Sequence, residues 1–142
     1  MIKPSFVLPV GNYLYVSSFW TNQVVRIAVN GESSTHDEPP MITFAQGHGL
    51  DGPWGLAVRD NMMFVASFTT DTIHRYSLET GEFIDFFGDE EELDCPEGIE
   101  FNDIGELFVV SFLADEVIRY SAQYEYVGAY GNGHLKGCVA RL

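Results

Sequence analysis

The chain repeats itself. "YLYVSSFWTNQVVRI" (13–27), "MMFVASFTTDTIHRY" (62–76) and "LFVVSFLADEVIRY" (107–120) share one pattern. An apolar run ends in Ser-Phe, a turn holds Asn or Asp, and a second apolar run ends near an Arg. The second and third copies align well beyond this segment. "LDGPWGLAVRDN" (50–61) lies over "LDCPEGIEFNDIG" (93–105) with one residue inserted, and "GEFIDFFG" (81–88) over "YEYVGAYG" (124–131) at a shift of 43. The first copy fits residues 4–27 onto 53–76 at a shift of 49, and its extra length falls in "NGESSTHDEPP" (30–40). A unit of this size cannot bury a core alone, so each copy must stack on the next.

Each unit reads as four short strands. In the second unit they are expected at 54–58, 62–68, 72–77 and 82–87, joined by "RDN", "TTD" and "LETG", which carry the residues that tight turns need. No segment sustains a helical period. "LFVV" and "MMFVA" are apolar on both faces, as strands are when sheets lie on either side of them. An open β-sandwich would not impose the repeat. The fold class expected is therefore all-β, a β-propeller of four-stranded antiparallel blades with units near 4–45, 53–88 and 96–131. Gly52, Cys95 and Cys138 are successive equivalents, so 132–142 reads as the start of a further blade. Three blades do not close a ring. The expectation is a piece of a longer propeller, a truncated gene, or one half of a dimeric ring, so that the missing blades come from the same gene or from a second copy.

The consensus "P-x-G-[LI]-x-[VF]", turn, "[YF]-V-x-S-F", turn, "[VI]-x-R-[IY]" resembles the NHL repeat over roughly Pro4 to Gly131. It departs at Ser18–Phe19, Ser67–Phe68 and Ser111–Phe112, where many NHL units carry an acidic residue. Units with Ser-Phe there are similar to a variant among NHL and gluconolactonase-like propellers. The resemblance implies a six-bladed ring, of which about three blades are present. Such propellers serve enzymes and binding modules alike, so it leaves function open.

With 142 residues, 46% of them hydrophobic, the chain has the material for one well-packed domain. Its net charge of −14 disfavours nucleic acid and anionic membranes and makes cations and basic partners electrostatically easier. No apolar run has the length of a membrane helix. Pro4, Pro9 and Gly11 interrupt the segment where a signal peptide would be apolar. Two cysteines assign no compartment.

Repetition also sorts the candidate site residues. Arg26, Arg75 and Arg119 recur in every unit and read as packing or inter-blade hydrogen-bonding groups. Asn22, Asp71 and Asp115 recur as turn formers. The Ser-Phe pairs recur as well, with no general base at a fixed offset, so serine catalysis has no support.

Positions that differ between copies are better candidates. The x of P-x-G is Ser5, Trp54 and Glu97, which the family likeness places near a central channel. Trp54 there fills the channel or stacks on a ligand. Glu97 lines it, binds a metal or acts as a base, as channel acids do in gluconolactonase-like enzymes. Trp20 and the loops with His48 and His134 fall on the same face. His48, Glu91 and His134 are equivalents, yet neighbouring blades hold such positions too far apart to share one ion. "DEEELD" (89–94) lacks the alternating pattern of a calcium loop and reads as a solvated turn.

Two functions remain. One is a binding or scaffold module presenting this loop-rich face to a protein or small-molecule ligand. The other is a metal-dependent hydrolase or lyase of the gluconolactonase or streptogramin-lyase kind. It would hold a divalent cation, calcium or zinc, with Glu97 as first ligand and His48 or His134 as acid or base.

Overall fold

A computed structural model describes residues 3–29 and 39–131, and all regular structure in it is β. Twelve strands form three four-stranded antiparallel sheets. The first holds β1 (Pro4–Val10), β2 (Tyr13–Ser18), β3 (Gln23–Ala28) and β4 (Met41–Gln46). The second holds β5 (Pro53–Arg59), β6 (Met62–Ser67), β7 (Thr72–Ser77) and β8 (Phe83–Phe87). The third holds β9 (Pro96–Phe101), β10 (Leu107–Ser111), β11 (Glu116–Tyr120) and β12 (Tyr126–Tyr130). Strands follow chain order within each sheet, so every sheet is a meander of the kind that forms a propeller blade. The expected continuation at 132–142 lies outside the described residues.

The hairpin turns follow from their residues. In "RDN", Asp60 and Asn61 both take positive φ (50° and 59°), the geometry that a two-residue hairpin loop needs to match the twist of its strands. Asn22, Asp71 and Asp115 take φ of 54°, 55° and 57°, a conformation that Asn and Asp tolerate better than other side chains. Their side chains do more than turn the chain. Asn22 Oδ1 accepts the N–H of Gly52 (2.9 Å), and Asp71 Oδ1 accepts the N–H of Cys95 (2.8 Å). These two turns thus clasp the backbone that opens the next blade.

Two apolar layers lie between the sheets. Tyr15 and Val24 of the first blade meet Leu56, Met63, Val65 and Tyr76 of the second. Phe64, Ala66 and Ile73 on the opposite face of the second meet Ile99, Leu107, Val109, Ile118 and Tyr120 of the third. Most of these side chains are fully buried, which accounts for strands that are apolar on both faces.

The innermost strands approach closely. A Cβ on Gly55 would lie 2.2 Å from the carbonyl oxygen of Glu97, so the glycine of P-x-G is what lets β9 lie beside β5. At the first junction Ser5 and Ser17 donate their hydroxyls to the carbonyls of Pro53 (2.8 Å) and Trp54 (2.7 Å).

The recurring arginines combine packing with charge. Arg75 pairs with Asp85 within its own blade (2.5 Å) and lies 4.5 Å over the ring of Tyr124 in the next. Arg119 pairs with Glu106, and Arg26 lies 4.5 Å over the ring of Tyr13.

Candidate functional site

The β2–β3, β6–β7 and β10–β11 turns share one end of the blades with the loops that lead into β5 and β9. Phe68 and Phe112 donate their N–H groups to the carbonyls of Gly52 and Cys95, and Phe19 does the same to Lys3. The preceding serines tie the same loops. Ser67 Oγ accepts the N–H of Asp51 (3.0 Å) and Ser111 Oγ that of Asp94 (2.8 Å). The serines are therefore occupied as fasteners.

With their backbones fixed in this way, the phenylalanines form a row across the three blades. Phe19 and Phe68 have ring centroids 5.6 Å apart, and Phe68 and Phe112 are 6.1 Å apart. Trp54, at the start of the inner strand β5, sits 5.7 Å from both Phe19 and Phe68. Trp20 extends the row at 5.5 Å from Phe19 and is 69% exposed, with the Lys3 ammonium 5.3 Å over its ring. Trp54 and the three phenylalanines are half-buried, so the row presents aromatic surface to solvent at one end of the blades.

Glu97 occupies the Trp54 position one blade on. It is only 7% exposed, and its Oε1 is buried with no hydrogen-bond partner among the described residues. Burial holds its carboxyl above the usual carboxylate range. An unpaired buried carboxyl oxygen costs stability, so this position carries an unmet demand for a donor or a cation.

The structure thus brings Trp20 and Trp54 together through Phe19 and sets Glu97 in the neighbouring blade. It does not bring His48 to them. His48 is exposed and stacks on Phe83 of the outermost strand of the second blade, with centroids 4.2 Å apart. Its carbonyl accepts from Nε2 of His74 (3.0 Å), a buried ring held below the usual histidine range mainly by desolvation. His134 lies outside the described residues.

One grouping was not anticipated. Asp71, Asp94 and Cys95 have ligand atoms within 4.8 Å of one another at the second junction. Asp71 already accepts the Cys95 N–H, and burial with the adjacent carboxylates pushes the Cys95 thiol up to about 11. Among the described residues, Glu97 belongs to no group of three or more such ligands.

No family model matches the chain, and no curated protein matches it. Solved structures do resemble it. A streptogramin B lyase aligns with a TM-score of 0.69 and 12% identity over 87% of this chain and 39% of its own. A catalytically inactive virginiamycin B lyase from Staphylococcus aureus, with quinupristin, aligns with a TM-score of 0.69 and 21% identity over 87% and 40%. The nidogen/laminin complex aligns with a TM-score of 0.65 and 15% identity over 85% and 45%. The chain spans about two-fifths of the length of the lyases it matches. Together with the three meander sheets, these alignments establish the fold class, a β-propeller, with three blades described.

Proposed function

We propose that the protein is an NHL-like, gluconolactonase-like propeller module that binds a protein or small-molecule ligand on its aromatic face, as part of a six-bladed ring. The contiguous row of Phe19, Trp54, Phe68 and Phe112, extended by the exposed Trp20, is the observation that supports this reading. Aromatic faces bind cationic groups through their ring quadrupoles. The orphan carboxyl oxygen of Glu97 and the net charge of −14 favour the same ligand chemistry. A ligand with an ammonium or guanidinium group suits the face best.

The chain has two tryptophans, and both belong to this row, so their emission reports on it directly. The test is a fluorescence titration with a lysine-rich peptide, with its fully acetylated form, and with tetramethylammonium. We expect saturable quenching by the unmodified peptide, lost on acetylation and weakened about tenfold or more in Trp54→Ala, where Trp20 still reports. A response to tetramethylammonium would identify the free cation as sufficient. Emission indifferent to all three probes would overturn the reading.

The second reading is a hydrolase or lyase holding calcium or zinc at Glu97, and it draws on the same unpaired oxygen. Among the described residues Glu97 stands in no group of three or more metal-ligating side chains, so no catalytic step is derived from it. Stoichiometric metal in the purified protein, lost in Glu97→Gln, would favour the enzyme over the binding module.

A further inference from the structure

The two junctions between blades share one backbone design but not one chemistry. At the first, Asn22, Asp51, Gly52 and Trp54 hold the positions that Asp71, Asp94, Cys95 and Glu97 hold at the second. The clasp itself is indifferent to the exchange, since Asn22 accepts the Gly52 N–H at 2.9 Å and Asp71 the Cys95 N–H at 2.8 Å. A neutral amide and a glycine therefore suffice to build a junction. The second junction adds two carboxyl groups and a thiol, Asp71, Glu97 and Cys95, at positions where the first has no ionisable side chain.

These groups are brought close on a fixed backbone. The ligand atoms of Asp71, Asp94 and Cys95 lie within 4.8 Å of one another. Asp94 donates its N–H to Ser111 Oγ (2.8 Å) and accepts that of Leu113 (3.2 Å), while the Cys95 carbonyl accepts that of Phe112 (3.1 Å). Burial, and then the carboxylates of Asp94, Asp71 and Glu97, push the Cys95 thiol up to about 11, so the charge of Glu97 is felt at the same spot. Glu97 is 7% exposed, and its buried Oε1 has no hydrogen-bond partner among the described residues. Nothing in the fold asks for that oxygen, because Trp54 fills the equivalent place with an aromatic ring. Carboxylates crowded on a thiol repel one another, and a divalent cation among them turns each of those interactions favourable.

We propose that Asp71, Asp94 and Cys95 bind a zinc ion across the second junction, with a water on the ion donating to Glu97 Oε1. Tetrahedral zinc takes sulfur at about 2.3 Å and carboxylate oxygen at about 2.0–2.2 Å, so its ligand atoms stand roughly 3.5 Å apart. Small side-chain rotations reach that spacing from the present one. Asp71 keeps its clasp through Oδ1 and gives the ion its other oxygen. The thiol releases its proton to solvent as the sulfur–zinc bond forms. A thiolate among carboxylates suits zinc better than calcium or magnesium, which take oxygen alone. The ion joins the β6–β7 turn to the start of β9 and so pins the third blade to the second. The inference does not depend on what the aromatic row binds.

The test is a cobalt(II) titration of the Cys138→Ser chain under reducing conditions, in which Cys95 is the sole thiol. Thiolate bound to cobalt gives a near-ultraviolet charge-transfer band that carboxylate does not. A single equivalent is expected to raise that band, and zinc, with its filled d shell, to abolish it. Cys95→Gly installs the residue of the first junction at a positive φ that glycine accepts, and it should lose the band entirely. Asp71→Asn keeps the clasp and should weaken binding about tenfold or more, with an unchanged urea midpoint in metal-free buffer. Glu97→Gln should weaken binding about tenfold while keeping the band. Zinc should also raise the thermal midpoint of the parent chain and leave that of Cys95→Gly unmoved. Absence of the band with cobalt in excess, a band that survives Cys95→Gly, or Asp71→Asn binding as tightly as its parent would each overturn the proposal. Cobalt bound without the band places the ion away from Cys95 and overturns it equally.

Discussion

Asp71 offers the sharpest test of how the blades are held in sequence. It takes a left-handed backbone conformation, φ 55°, and its Oδ1 accepts the Cys95 N–H at 2.8 Å across the junction. Replacing it with Ala removes both contributions. A hydrogen bond to a charged group contributes about 1.5–3 kcal/mol, and forcing an ordinary residue into the left-handed region costs about 1–2 kcal/mol. Asp71→Ala should therefore destabilise the chain by about 3 kcal/mol. Asp71→Gly removes the clasp but relieves the backbone, and should cost about 2 kcal/mol. Asp71→Asn keeps both, as Asn22 does in the first blade, and should stay within about 0.5 kcal/mol of the wild type. It also removes one of the carboxylates beside Asp94 and the Cys95 thiol. Urea unfolding at one fixed protein concentration reads all three, with an m-value of about 1–3 kcal/mol/M turning the Ala effect into a midpoint shift of about 1–3 M. If Asp71→Asn is as damaging as Asp71→Ala, the side-chain oxygen is not acting as a neutral-capable acceptor and the clasp is misassigned. If Asp71→Gly is harmless, the clasp contributes nothing.

Two pH-dependent predictions follow from buried groups. His74 is 2% exposed, with its ring nitrogens directed to Thr72 Oγ1 and the His48 carbonyl, and desolvation holds its folded pKa below that of the unfolded chain. The unfolded state then binds the proton more tightly, so the contribution of His74 is full above about pH 6.5 and is lost as pH falls below it. His74→Val installs the residue that the first blade carries at the equivalent position, Val25. It should flatten that part of the stability-versus-pH curve, and an unchanged acid limb would refute the assignment. For Cys95, a thiol pushed up to about 11 should be alkylated slowly at neutral pH. In a Cys138→Ser background its rate should rise about tenfold per pH unit through pH 9 and beyond, and a plateau below that would contradict it.

The β scaffold was legible because strand period, turn residues and repetition all pointed the same way. Strands expected at 54–58, 62–68, 72–77 and 82–87 appear at Pro53–Arg59, Met62–Ser67, Thr72–Ser77 and Phe83–Phe87. The shortfall at Phe68 is instructive, since that ring leaves the strand to join the aromatic row. Filtering candidates by repetition set aside Phe19, Phe68 and Phe112 with the recurring Ser-Phe pairs, and they do fasten the loops through their backbones. Their side chains nevertheless build the face on which Trp54 and Trp20 meet. One strand's own sequence cannot show a contact made across blades. For the same reason Asn22 and Asp71 were readable as turn formers but not as clasps, because their partners Gly52 and Cys95 are backbone groups far along the chain. His48 was grouped with the channel residues by its loop, yet its stacking on Phe83 carries it to the outer strand.

The contrast between Trp54 and Glu97 shows how a repeat acquires a direction. Both sit between the same proline and the same glycine at the start of an inner strand, so the backbone offers them equivalent places. Trp54 finds aromatic partners there, with Phe19 and Phe68 each 5.7 Å from its ring. Glu97 differs, and its buried Oε1 is left without a partner among the described residues, a deficit of about 1–3 kcal/mol. An apolar side chain at 97 would remove that deficit and pack against the same neighbours. The carboxyl is therefore a stability cost carried at one position of one blade, one blade on from the aromatic Trp54. Glu97→Leu separates the explanations. It should raise the stability of the ligand-free chain by about 1 kcal/mol or more while weakening the response of the tryptophans to a cationic peptide. A variant that is both less stable and equally responsive would mean that Glu97 serves the fold, and that the aromatic row takes its ligand without it.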